Sequence, residues 1–532
     1  MSTARETTAL LRRHAVQDVD REAASEIDEA PISSWRRIVG IALALVGVFI
    51  AGADHSFLMV TYETIASHFD AVSYDAWILT GYNLGYCMAL PAYGKISDMY
   101  GHKTPLAISY CLFSIGTFLS GTASHVWQMI AGRIITGLGG AGMVALVSVV
   151  ITNRVLPNQV AFIRSFVSAV NISGQLFGGP LGAFVADAIS WRWSFLIQTL
   201  IALFCGILFI ALWSAPKPVV NQHDGYQALK PSTSTKADYF EIAGFAVIIT
   251  SLLASIELFG KDEFVTASML LFIALASGVV FMFFEAYYAE RPLIPLSLIK
   301  TKSSLYFVIQ MLLIFSYQAH ASSLSPYFLW TSDIELTEAA MRIIPLPIGF
   351  MIGSVIAGII IRRTNEYKYL CSTAAVLGLW VYMLIAARWG AAEQFSWEWL
   401  YSMPAGLSLG IVLACTFTGL TVSTEPSLHG TAICLYYLSQ QVGSIIGTAV
   451  STVAIHSAFR ATLTGALQDL PRRDEVIWDI INRSGIRGIP QPLHESVRLS
   501  YLASFRLVST IPIIATKLAL TLVFFIPKVA LK

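Results

Sequence analysis

The sequence predicts an all-α membrane protein with fourteen transmembrane helices. Three observations carry that prediction. Of 532 residues, 55% are hydrophobic and only 13% are charged, which is not the make-up of a soluble domain. Apolar runs long enough to cross about 30 Å of hydrocarbon recur along the whole chain. Single runs of about twenty apolar residues are too long for barrel strands, so each span must be a helix that satisfies its own backbone polar groups.

In chain order, residues 1–36 are polar, charged and poor in aromatics, and are expected to form a disordered tail with no cleavable signal peptide. Within it, Glu6-Thr-Thr-Ala-Leu10-Leu11 matches the acidic dileucine pattern [DE]-x-x-x-L-[LI] that sorting adaptors read. The spans are expected near 38–60, 76–93, 105–123, 126–151, 163–189, 193–213 and 240–259. They continue near 265–287, 304–330, 340–361, 368–388, 398–422, 431–457 and 502–526. The seventh is the least secure, because Glu257 lies near its end. Residues 215–239, rich in Pro, Ser, Thr, Lys and Asp, read as a linker. A second polar stretch, 459–500, is expected as a long loop with an amphipathic helix around Val476–Ile481 and a glycosylation sequon at Asn482-Arg483-Ser484.

An even number of spans places both termini on one side. Lys95, Lys103, Arg154, Arg362, Arg363 and Lys368 then share the side of Arg36 and Arg37, which the positive-inside rule makes cytoplasmic. The linker is therefore cytoplasmic and the loop 459–500 is not, although the several arginines of that loop run against the rule. All six cysteines lie inside apolar runs, so no disulfide framework is expected. No cluster of His, Cys and carboxylates has metal-ligand spacing, and no P-loop is present, so neither a metal, a cofactor nor direct nucleotide-driven pumping is expected. The net charge of +1 gives no basis for a nucleic-acid partner.

A few polar residues stand inside the apolar runs, where each is costly unless paired or wetted. Asp54 lies in the first span; a carboxylate there is costly when ionised and dry, which suits a group that takes up and releases protons. Arg133 lies about a third of the way into the fourth span, so it is expected to face a cavity or a carboxylate. Gly174, Gly178, Gly179, Pro180 and Gly182 cluster in the fifth span, where proline removes a backbone hydrogen bond and glycines permit bending and close packing. Gln310, Tyr317, Gln318 and His320 in the ninth span, and Tyr436, Tyr437, Gln440 and Gln441 in the thirteenth, either line a substrate cavity or bond between helices. The glycines at 137, 139 and 142 spell G-x-G-x-x-G, but within a membrane helix this pattern serves helix packing.

Between the second and third spans runs Gly94-Lys-Ile-Ser-Asp98-Met-Tyr-Gly101-His102-Lys103. A glycine at each end lets the chain turn and two helices approach, and Asp98 among basic residues can lock helix ends by charge-assisted hydrogen bonds. This stretch resembles the G-x-x-x-D-x-x-G-[RK]-[RK] motif of the major facilitator superfamily, with His102 in place of the usual arginine. The Arg133 segment is similar to that family's fourth-span motif R-x-x-x-G-x-G, and the 174–183 segment to its antiporter motif, with Gly182 one position early and Ala183 in place of a glycine. From about residue 38 onward the chain resembles the fourteen-span branch of drug:proton antiporters.

The resemblance implies a major facilitator fold in which residues 37–214 and 301–532 form two six-helix bundles, with two extra helices in 240–300. It also implies a proton coupling role for Asp54 and Arg133 and a gating latch at Gly94, Asp98, Gly101, His102 and Lys103. Fungal fourteen-span members that the chain resembles include vacuolar basic amino acid transporters and multidrug efflux pumps. The expected activity is thus proton-driven export of a small organic solute from the cytoplasm, foremost basic amino acids into the vacuole. The alternatives are drug, toxin or metabolite efflux at the plasma membrane and a non-transporting nutrient sensor on the same fold. The partners expected are the solute, protons, the bilayer and a sorting adaptor at the tail. No catalytic constellation supports an enzyme.

Overall fold

The computed structural model describes residues 34–527 apart from 70–73, 153–156, 213–235, 261–262, 289–291, 296–297, 299–300, 302, 333, 335, 390–396, 426–427, 469–472, 482–484 and 487–488. The described residues are almost entirely helical. Helices α1 (Ser34–His68), α2 (Asp75–Tyr100), α3 (Lys103–Gly121), α4 (Val126–Thr152), α5 (Pro157–Ala188) and α6 (Trp191–Leu212) come first. A pair follows, α7 (Lys236–Gly260) and α8 (Phe264–Tyr287). The remainder comprises α9 (Ser304–Thr331), α10 (Leu336–Ile343), α11 (Pro345–Thr364), α12 (Lys368–Trp389), α13 (Ser402–Ser423), α14 (His429–Ala466), α15 (Arg473–Ile481), α16 (Gln491–Val508) and α17 (Thr510–Val523).

Thirteen helical segments are long and apolar enough to cross a membrane by length and composition. The predicted span 76–93 is not among them, because Asn83, two glycines and three tyrosines stand there in place of aliphatic side chains. At 26 residues α2 is nonetheless about 39 Å long, enough to cross, and its polar groups turn toward protein rather than lipid. With it the architecture is consistent with fourteen spans.

The packing repeats. In the first half α1 packs on α5, α2 on α4, and α3 on both α4 and α6. In the second, α9 packs on α14, α11 on α13, and α12 on both α13 and α17. Each span of the first half thus has a counterpart in the second, and the two halves meet along two seams, α2 against α14 and α5 against α11. Helices α4 and α13 occupy equivalent places and are the most enclosed, whereas α8 presents Met269, Phe272 and Phe283 outward as a lipid-facing helix would. The α7–α8 pair packs through α7 onto α2 and α14.

Three boundaries differ from the sequence reading. The tenth span is two pieces, because Pro345 has no N–H to continue the helix ending at Ile343. The stretch 459–500 is no irregular loop: α14 runs 38 residues to Ala466, carried onward by the buried stripe Ile455, Phe459, Leu463 and Leu467 at a spacing of four. The amphipathic helix expected at 476–481 is present as part of α15, and the last span begins eleven residues early, as α16 followed by α17. Glu6, Leu10, Leu11 and Asn482 lie outside the described residues.

Candidate functional site

Two polar centres are built where the helices converge, and a third joins the halves at one end. The first is the pair Asp54–Arg133, which ties α1 to α4. Arg133 Nη1 and Nη2 donate to Asp54 Oδ1 and Oδ2 at 2.9 and 2.8 Å, and both side chains are fully buried. The fork-to-fork geometry is the strongest form of this contact, and in apolar surroundings each charge compensates the other. Tyr82 of α2 covers the guanidinium, its ring centroid 5.0 Å from Arg133 Cζ. Of the two facing expectations for Arg133, the structure places it against a carboxylate. Neither member of the pair lines the cavity; their neighbours His55 and Tyr82 do.

The second centre is a cavity of about 820 Å³ between the two halves. Its wall draws Asn83 from α2, Arg164, Asn171 and Gln175 from α5, Glu257 from α7, Tyr317 and Gln318 from α9, and Tyr437, Gln440 and Gln441 from α14. Arg164 reaches from α5 across the molecule: Nη1 donates to the Tyr437 hydroxyl at 2.7 Å, and the guanidinium stacks 3.7 Å from the Phe417 ring centroid of α13. Ser148 of α4 completes this floor, 2.6 Å from the Tyr437 hydroxyl. Gln441 Nε2 donates to Asn83 Oδ1 at 2.8 Å, a second tie across the α2–α14 seam.

The third centre is at the end of the molecule where α2 finishes and α14 begins. Asp98 Oδ1 accepts the Gly430 backbone N–H at 2.8 Å, while Oδ2 accepts the Thr431 N–H at 2.8 Å and its hydroxyl at 2.7 Å. The carboxylate therefore caps the N-terminus of a 38-residue helix, where unpaired N–H groups and the helix dipole both favour negative charge. The close approach requires glycine: a methyl at Gly94 would lie 2.7 Å from Thr431 Cα, and one at Gly430 would collide with the Asp98 carboxylate. The basic residues do not pair with Asp98. Lys95 Nζ bonds Glu241 of α7 at 3.1 Å, and His102 Nδ1 lies 2.6 Å from Ser97 Oγ. Gly101 turns the chain with φ of +78°. The other seam is shut at the same end, where Arg362 sits over the Phe162 ring. The cavity wall runs instead to Met59, Ile343 and Val453, toward the opposite end.

Of the residues singled out in sequence, Gln318, Tyr437, Gln440 and Gln441 meet in the cavity. Gln310 is a correction: it is buried outside the cavity and donates to the Tyr436 carbonyl at 2.6 Å and to Ser439 Oγ. The α5 glycines form the face against α1, where a methyl on Gly174 or Gly178 would strike the backbone of Phe49 or Ala53, and Gly179 N–H donates to Ser56 Oγ at 3.1 Å. Gly182 abuts Phe57 and Pro180 lies inside the helix. Sequence reading missed Arg164, whose signal was a lone arginine seven residues into a helix.

A membrane protein made of two packed helical halves, with a polar cavity between them shut at one end, is built as a solute carrier. Major Facilitator Superfamily similarity extends over residues 44–448, and the chain belongs to that family. It is 27% identical over 477 residues to the vacuolar membrane amino acid uptake transporter fnx2 of Schizosaccharomyces pombe, covering 86% of this chain and 79% of that protein. It is 24% identical over 499 residues to the multidrug resistance protein fnx1 of the same yeast, with 91% of each covered. To vacuolar basic amino acid transporter 1 of Saccharomyces cerevisiae the identity is 24% over 508 residues, with 88% of each covered.

Proposed function

We propose that this protein is a proton-coupled antiporter that moves basic amino acids out of the cytoplasm across the vacuolar membrane. The observation that carries the reading is the cavity between the halves, closed at the Asp98 end and walled by amides, hydroxyls and opposite charges. The basic residues near Asp98 make that end cytoplasmic by the positive-inside rule, so the conformation is the one that faces the lumen. Relatives named as vacuolar amino acid transporters support the solute class and the membrane. The Asp54–Arg133 pair couples protons, acting on the cavity through the adjoining His55 and Tyr82. Breaking the Asp98 cap frees α2 from α14 and opens the cavity to the cytoplasm.

Export of lipophilic drugs at the plasma membrane is the second reading. A multidrug relative and the aromatic groups Tyr82, Tyr86, Tyr317 and Phe350 in the cavity favour it. Reconstituted vesicles with an acidic interior separate the two. Labelled arginine should accumulate and be lost on adding a protonophore; accumulation of a lipophilic cation without arginine would reverse the ranking.

A further inference from the structure

The cavity has two electrical poles. Among its described lining residues the charged side chains are Arg164 and Glu257, contributed by different parts of the molecule. Arg164 is the deeper one, held by Tyr437 at 2.7 Å through Nη1 and stacked on Phe417, so its planar fork is fixed in place. One turn along α14 from Tyr437, Gln440 lines the same wall, and its Nε2 is buried with no acceptor among the described residues. A buried donor left unmade costs free energy, which a ligand acceptor would recover. Glu257 enters from α7 and accepts the Thr80 hydroxyl at 3.2 Å.

The separation of the poles follows from the hydrogen-bonded ladder between α2 and α14. Gln441 is level with Asn83, to which it donates. Tyr437 lies four residues toward the Asp98 end from Gln441, and Thr80 three residues the other way from Asn83. At 1.5 Å per residue Tyr437 and Thr80, the partners of the arginine and the glutamate, are offset by about 10 Å along the bundle axis. An extended lysine or arginine separates its carboxylate from its terminal cation by about 7 Å with C–C bonds near 1.5 Å. Hydrogen bonds of about 3 Å at each end extend that reach beyond the axial offset.

We infer that the cavity is a two-pole site for a long cationic amino acid, with Arg164 and Gln440 holding its carboxylate and Glu257 its side-chain cation. The inference rests on the amino acid reading above and adds the residues that select within that class. It gives the accessory helix α7 a direct part in solute recognition through the carboxylate near its end. A short neutral amino acid reaches one pole only and forgoes the contacts that the other would add.

The test uses the full-length purified protein, titrated with labelled arginine, with agmatine (arginine without its carboxylate) and with norleucine (a side chain without the cation). The wild type should bind arginine at least tenfold tighter than either probe. Glu257→Gln should lose tenfold or more toward arginine and little toward norleucine, and Arg164→Gln should lose toward arginine and little toward agmatine. Should Glu257→Gln fold poorly, Glu257→Asp keeps the charge on a shorter arm and should weaken arginine at least fivefold. Arginine bound within twofold of wild type by the Glu257 variant that folds would overturn the two-pole site while leaving an amino acid carrier standing. A wild type that binds tetraphenylphosphonium and no arginine would overturn the amino acid reading and the two-pole site together.

Discussion

Asp98 shows how much one carboxylate can decide. It makes three hydrogen bonds to the first turn of α14, two of them to backbone N–H groups that have no other helical partner. Asp98→Asn keeps the shape, but loses the charge and replaces one acceptor by a donor. Charge-assisted bonds contribute about 1.5–3 kcal/mol each, so the closed state should lose on the order of 1–2 kcal/mol, roughly 5–30-fold in population. Vesicles should show protein of normal abundance and fold with much reduced flux; undiminished flux would remove the gating role. Asp54→Asn leaves Arg133 charged and buried, at a cost of about 3–5 kcal/mol, and the double change with Arg133→Gln should recover much of that stability in thermal unfolding. Recovery of fold without recovery of uphill accumulation is the expected signature of a coupling pair. Asp54 and Arg133 were legible in sequence because each is polar where its neighbours are apolar, and Asp98 because glycines and basic residues surround it between two apolar runs. Arg164 was not, since an arginine near a helix start reads equally well as an interfacial anchor. Only packing reveals that it points inward to Tyr437 and Phe417.

At the scale of helices, the sequence specifies elements well and their ends poorly. Apolar run length marks spans, whereas ends depend on contacts made far along the chain. Helix α14 outlasts its apolar run because Phe459 and Leu463 bury against Trp330 and Tyr501 beyond the span. Helix α2 can be less apolar than its neighbours because its polar side chains bond to α7 and α14. The α1–α5 contact is a backbone-to-backbone one, with Gly178 opposite the backbone of Ala53. Gly178→Val must push the two helices apart or fail to fold. It should reduce the folded yield severely, whereas Gly278→Ala on α8, where an added methyl meets nothing within 4 Å, should leave yield unchanged. Size-exclusion profiles of the two variants check the contrast.

Taken whole, the molecule is two matched halves joined at two seams, both shut at the end that holds Asp98. That matching was not visible in sequence, because equivalent helices share packing partners rather than residues. Residues 1–36 carry a separate prediction: with Leu10 and Leu11 changed to Ala, a fluorescent fusion should move from the vacuolar toward the plasma membrane. A wild type already at the cell surface would favour the efflux reading. The central claim is that the cavity is exposed alternately at the two ends, and paired distances test it most directly. Spin labels at Tyr100 and Tyr369 report the Asp98 end, and labels at Trp127 and Trp397 report the other; all four positions are exposed. Shifting the equilibrium with solute or proton load should lengthen the first distance while shortening the second. Two distances that stay fixed under every load, in protein that sustains flux, would contradict the account.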